Sequence, residues 1–287
     1  MYNGLLIYHR HDYKKNKWFA RRIIEASWKY GMNTRLVLTD ELNLVIDGGF
    51  LAEVNGWRIK KPDFVINRSR DSLIGTHFET MGSRVFNSAM VTNIANNKAK
   101  THQFINARGI LSVKTMIVDK RYFSPEKNRL VFPLVVKSVG GHGGKEVFLA
   151  ENEKQLKYII DKLPQNRCIL QEVCPTPGTD IRVYVLGRSI VAAVKRYSNE
   201  SFKANVSLGG KAEPYLLSDV EKELVYKIIH LLQPDFAGID FFLGADGTLL
   251  FNEIEDVVGT RTLYQIYDFD IAEKFVNYIN RKLTESG

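Results

Sequence analysis

The chain has 287 residues, 45% hydrophobic and 25% charged, which suits a folded globular protein of about two domains, or three small ones. No stretch approaches the roughly 18 apolar residues that span a membrane, and the apolar run near the N-terminus is too short for a signal peptide. The net charge of +8 fits either a nucleic-acid partner or a pocket for polyanions. The basic residues are scattered with no run of five, which disfavours nucleic acid. Cys168 and Cys174 have no metal spacing and make a thin disulfide framework, so a reducing cytoplasm is the expected home.

In chain order, residues 4–8 read as a buried strand. Ala20, Ile23, Ile24, Ser27 and Trp28 share one face of a helix that Gly31 is placed to end. Residues 34–38 form a second strand. Residues 50–59 alternate around Asn55-Gly56, a hairpin-turn pair, and 64–66 make a short apolar strand. This order predicts a small α/β domain with a partly parallel sheet over residues 1–95.

A second unit spans 96–175. A helix near 98–108 stops at Gly109, and strands follow near 112–118 and 130–137. The glycine-rich loop 140–144 leads to a strand at 146–150. Asn152 with Gln155 three residues on reads as a helix start, and a strand at 168–173 closes the unit. From 176 to 287, strands at 181–186 and 190–195 flank Gly187-Arg188. Ser218 with Glu221 forms a capping box before a helix reaching Leu232. Strands 237–243 and 248–254 flank Asp246-Gly247, and a last helix covers 271–283.

Four groups of residues carry chemistry. Lys137 ends a strand that runs into Gly140, Gly141, Gly143 and Gly144, whose backbone N–H groups can approach phosphate oxygens with no Cβ in the way. The P-loop spacing is absent, and a plain flexible hairpin remains the other reading. Asp240 lies in one late strand, and Glu253 and Glu255 lie on one face of its partner. Clustered carboxylates repel unless a cation neutralises them, and magnesium fits; solvent or Lys/Arg partners are the alternative. Lys195-Arg196-Tyr197, continuing to Phe202-Lys203-Ala204-Asn205, could neutralise a transferring phosphoryl group or be a solvated loop. His9-Arg10-His11 and Asn67-Arg68-Ser69-Arg70 follow two strands. If those strands are parallel, the loops share the rim where ligands bind in open α/β sheets; otherwise they are exposed basic loops.

The order of these pieces resembles the ATP-grasp superfamily, and within it the RimK-like amino-acid ligases, from about residue 80 to the end. Residues 171–187 look like the family's adenine hinge and its D-I-R strand. Residues 202–205 look like its F-R-x-N segment, and 237–240 and 250–255 are similar to its A-G-V-D and M-E-V-N metal strands. The resemblance implies an α/β ATP-grasp fold: an N-terminal α/β domain, a central lid domain and a C-terminal antiparallel-sheet domain. It implies an ADP-forming carboxylate–amine ligase working through an acyl phosphate, with ATP and Mg2+, or Mn2+, as cofactors. Lys98 and Lys137 would hold phosphates. The backbone of Gln171, Glu172 and Val173 would bond adenine, and Asp180 the ribose. Arg182, Lys195 and Asn205 would face the reacting groups, and Asp240, Glu253 and Glu255 would hold the metal. His9, Arg10, Arg68, Arg70 and Arg261 would shape the substrate side. Expected partners are a small-molecule or peptide carboxylate and an amino acid, with no membrane and with dimers or tetramers common among relatives.

Two departures stand out. The family usually has Asn where this chain has Glu255, and its short S-P-G after that Asn is replaced here by residues 256–261. A non-catalytic ATP-binding regulatory protein on the same fold is the competing reading.

Overall fold

The structure, a computed structural model, describes residues 1–198 and 209–285. It opens with β1 (Tyr2–Tyr8), α1 (Arg10–Lys29), β2 (Met32–Leu38), β3 (Leu42–Ile46), β4 (Phe50–Val54), β5 (Trp57–Arg58), β6 (Phe64–Asn67), α2 (Ser72–Thr80), β7 (Arg84–Phe86) and α3 (Ala89–Ala95). Strands β2-β1-β6-β7 form one sheet, parallel throughout. Alternation along β1 feeds two cores. Leu6 and Tyr8 pack against α1 through Phe19 and Ile23, while Leu5 and Ile7 pack with Ile74 and Phe78 of α2 and Ala52 and Val54 of β4. Such double coverage explains the unbroken apolar run of the strand. Strands β3-β4-β5 form a separate antiparallel sheet, and Asn55 and Gly56 turn β4 into β5 with φ of 52° and 80°.

Two sequence expectations change here. Trp28, expected on the buried face of α1, is 66% exposed, because the buried stripe runs through Phe19, Ala20, Ile23, Ala26 and Ser27 and Trp28 falls outside it. The stretch 72–95, for which periodicity indicated no element, holds α2, β7 and α3. These are too short to develop a clear period. Asp71 and Ser88 cap the two helices through bonds from Leu73 N and Val91 N.

Next come α4 (Lys98–Asn106), β8 (Thr115–Asp119), β9 (Leu134–Ser138), β10 (Val147–Ala150), α5 (Glu153–Lys162) and β11 (Arg167–Glu172). The strands make an antiparallel sheet in the order β10-β9-β11-β8. Asn152 caps α5 by accepting from Gln155 N, while the Gln155 side chain accepts from Glu151 N rather than Asn152 N. Leu156 and Ile160 of α5 pack under Leu134, Val136 and Leu170.

The chain ends with β12 (Thr179–Leu186), β13 (Ser189–Tyr197), β14 (Lys211–Pro214), α6 (Asp219–Leu232), β15 (Phe236–Leu243), β16 (Leu249–Glu255), α7 (Arg261–Ile266) and α8 (Ile271–Thr284). Its five-stranded antiparallel sheet runs β14-β13-β12-β15-β16. The capping box of Ser218 and Glu221 starts α6. Val225, Ile228 and Ile229 of that helix cover one face of the sheet, meeting Ile181, Val183, Ile239 and Phe251; Val91 of α3 and Ile105 of α4 join the same core. Alternation turns Asp180, Arg182 and Tyr184 to the other face. There Tyr184 meets Phe275 and Val276 of α8 in the core shared with α1. Asp180, Arg182 and Asp240 are left beside a cleft. No helix among the described residues is long and apolar enough to cross a membrane.

Candidate active site

The cleft lies between the β9–β11 sheet and the open face of the C-terminal sheet. Lys98, Lys137, Gly141, Gly143, Gly144, Gln171, Glu172, Val173 and Asp180 all line it, together with Arg196, Phe242, Asn252 and Glu253. Each comes from a short, well-defined piece of chain. Asn97 caps α4 through Lys100 N, which places Lys98 at the first turn. Its ammonium donates to Gly141 O at 2.5 Å and pairs with Glu253 at 3.1 Å. Gly143 and Gly144 adopt φ of +66° and +72°, a conformation side chains rarely take. Lys137 is buried, and its Nζ donates to Asn252 Oδ1 at 3.0 Å. Burial, with Lys98 close by, lowers its pKa to about 8 against the pull of Glu253.

One carboxylate oxygen each from Asp240, Glu253 and Glu255 falls within a group 4.8 Å across. Strand alternation alone would turn Phe251 to the same face as Glu253. A β-bulge opposite Asp240/Phe241 prevents this, because Asp240 pairs with Glu253 and Phe241 with Phe251. Asn252 is the extra residue. The bulge lets Asn252 and Glu253 both line the cleft while Phe251 and Ile254 stay in the core, the re-aiming that bulges provide.

The charges here are already balanced by side chains. Arg182 donates through both arms to Asp240, at 2.7 and 2.6 Å, and lies 2.9 Å from Glu255. Arg196 holds both oxygens of Asp180, at 2.6 and 2.7 Å, and reaches Asp240 at 2.8 Å. Burial opposes ionisation of Asp240, but Arg182 and Arg196 outweigh it and hold its carboxyl below the usual range. For Asp180, burial outweighs Arg196 and pushes the carboxyl up. Bidentate buried pairs of this kind fix geometry as well as charge.

An all-oxygen triad suits a hard cation such as magnesium. The oxygens of Asp240 are bonded to two guanidinium groups, whereas Glu253 and Glu255 keep about a quarter of their side chains accessible. Glu253 and Glu255 are thus the pair that can reach an ion, with Asp240 ordering the arginines behind them.

Several expectations need correction. Lys195 does not face the cleft. It pairs with Ile181, whose side chain points to the α6 core, and its ammonium sits 3.5 Å from Glu213. Arg196, opposite Asp180, occupies the site, and a one-residue shift on a strand changes face. Arg68 is buried rather than on a rim: it donates to Val258 O at 3.0 Å and lies over the rings of Tyr8 and Phe19. Arg10 is exposed and tied to Asp40 and Glu41. Arg261 is exposed and donates to Lys15 O on α1. Asn205 lies outside the described residues.

The loops after β1 and β6 do share a rim, because those strands are adjacent and parallel. His9 and Arg70 line a second hollow there with Lys100, facing Gly140 and His142 of the glycine loop. Arg70 pairs with Asp12 at 2.5 Å. Arg196 was named in the sequence only as part of the Lys195-Arg196-Tyr197 cluster, and Asn252 and Phe242 were not singled out. Arg196 faces the site because a β-bulge shifts the hairpin register: Leu186 pairs with Ser189 and Val185 with Ile190, but Tyr184 pairs with Ala192 and Asp180 with Arg196 in place of Lys195. The bulge that exposes Asn252 has no signal in the residues around it.

A cleft between a glycine-loop sheet and a carboxylate-bearing antiparallel sheet is the arrangement of the ATP-grasp fold. The RimK-like ATP-grasp domain model matches residues 95–279, and the chain belongs to that family of ATP-dependent carboxylate–amine ligases. It is 28% identical over 292 residues to an uncharacterised protein, MG011, of Mycoplasma genitalium, covering 98% of this chain and 96% of that one. It is 25% identical to the alpha-aminoadipate–LysW ligase of Sulfurisphaera tokodaii, covering 94% and 95%. Among solved structures, the ATP-grasp ligase PsnB in complex with a minimal-precursor variant, Mg and ADP aligns with a TM-score of 0.72 at 15% identity, over 98% of each chain.

Proposed function

We propose that this protein is an ADP-forming ligase that joins a carboxylate to an amine through an acyl phosphate. The observation that carries this reading is the convergence of Lys98, Lys137 and Glu253 on one cleft, with Asp240 and Glu255 clustered beside Glu253. Two cations for phosphate oxygens stand beside oxygen ligands for a divalent ion. Magnesium held by Glu253 and Glu255 would supply charge neutralisation between the phosphates.

The remaining work belongs to the chain. Lys98 leaves Glu253 for the triphosphate, and Lys137, held by Asn252, turns its free donors to it. The glycine loop closes on it and excludes water. The substrate carboxylate attacks the γ-phosphorus, and the bond to the β-bridging oxygen breaks, releasing ADP. The amine then attacks the acyl carbon, phosphate leaves, and the amine gives up a proton. Arg182 and Arg196, fixed by Asp240 and Asp180, keep positive charge next to the transferring group. The polar hollow lined by His9, Arg70 and Lys100 is the substrate entrance on the other side of the glycine loop.

The test is a coupled ADP-release screen of amino acids against acidic acceptors, with ATP and magnesium. Release that requires both an amine and an acid supports the ligase. Nucleotide-induced thermal stabilisation without release from any pair supports the regulatory alternative.

A further inference from the structure

Asn252 is the extra residue of the bulge in β16, buried, and aimed into the cleft. Its Oδ1 accepts from Lys137, which comes from β9 of the other sheet. The bond therefore ties the two walls of the cleft together across 115 residues of chain.

An ammonium has three donors and no freedom to leave them unmet in a buried site without cost. Its other neighbours are charged or aromatic. Lys98 repels it; Glu253 and Asp180 attract it; and the Phe242 ring lies 5.5 Å away. A neutral amide oxygen fixes the direction of Nζ without adding an anion that would compete with phosphate.

We propose that Asn252 is a positioning residue that aims the Lys137 ammonium at the triphosphate before ATP arrives, and that the β16 bulge serves to place it. This rests on reading the cleft as the ATP site. One bond to Asn252 leaves the remaining donors of Lys137 for phosphate oxygens. Without the bulge, position 252 would turn to the α6 side and Lys137 would lose its anchor.

The test is a double-mutant cycle on ATP affinity, by calorimetry, using Asn252→Leu, Lys137→Met and the pair. Asn252→Leu should raise the Kd for ATP by about tenfold, the worth of a hydrogen bond to a charged group. The double variant should bind no worse than Lys137→Met, because Asn252 acts through that lysine. Asn252→Gln, with its amide on a longer arm, should recover part of the loss, and Asn252→Ala should match the leucine. These two keep the comparison intact if leucine disturbs folding. Affinity unchanged in Asn252→Leu and Asn252→Ala while Lys137→Met binds weakly would overturn the proposal and leave the ATP site standing. Fully additive losses would also overturn it. Unchanged affinity in Lys137→Met would remove the ATP reading of the cleft, and the proposal with it.

Discussion

At the residue scale, the site depends on buried charges whose partners are named. Lys137 has a pKa lowered to about 8, chiefly by burial. Above that pH the free protein loses the ammonium, so ATP binding must take up a proton, and ATP affinity should fall with rising pH beyond about 8. Titration of Kd against pH checks this, and Lys137→Met should flatten the profile. The stability sign is opposite. Between about 8 and the ordinary lysine value the unfolded chain binds a proton that the folded chain has released, so stability should rise with pH there. Glu253→Gln keeps size and removes a charge beside Lys98. It should fold, yet lose activity by on the order of a hundredfold or more. Glu255→Asn should keep measurable activity with an altered metal requirement, read from Mn2+ binding as well as turnover. Loss of all metal binding in that variant alone would show Glu255 to be indispensable.

At the element scale, strand register decides which cations matter. Lys195 and Arg196 are adjacent in β13 but face opposite sides of the sheet. Lys195→Ala should change stability by no more than about 0.5 kcal/mol and leave ATP affinity near wild type. Arg196→Ala strips the buried Asp180 of its bidentate partner and takes one of two guanidinium groups from Asp240, and should cost about 3–5 kcal/mol. Urea unfolding separates the two variants. Long elements with strong patterns were legible in the sequence: β1, α6 with its capping box, the β15–β16 hairpin and α8. Short ones were not. The helices α2 and α3 show too few turns to reveal a period, and β14 has an exposed edge without alternation. The candidate site was legible where it rests on residue type, as with Lys137, Asp240 and Glu253. It was misread where it rests on face or depth. Lys195 was taken for its strand neighbour, and Arg68 looked like a rim cation because a buried guanidinium under two aromatic rings has no local signature.

At the scale of the whole molecule, Arg68 joins the parallel sheet to the C-terminal unit. It comes from the end of β6, packs against Tyr8 and Phe19, and donates to Val258 O. Arg68→Ala should lower stability by about 2 kcal/mol rather than act on one substrate's Michaelis constant alone; thermal unfolding with parallel kinetics tells these apart. Closure of the two cleft walls on ATP should likewise appear as global stabilisation, about 2.7 kcal/mol at a hundredfold excess over Kd. The most direct test of the central claim follows the oxygen. A carboxylate substrate found by the ADP-release screen is labelled with 18O and turned over with ATP, magnesium and its amine. Activation as an acyl phosphate transfers one labelled oxygen to the released inorganic phosphate, which mass spectrometry detects. Unlabelled phosphate, or AMP and pyrophosphate in place of ADP and phosphate, would contradict the account.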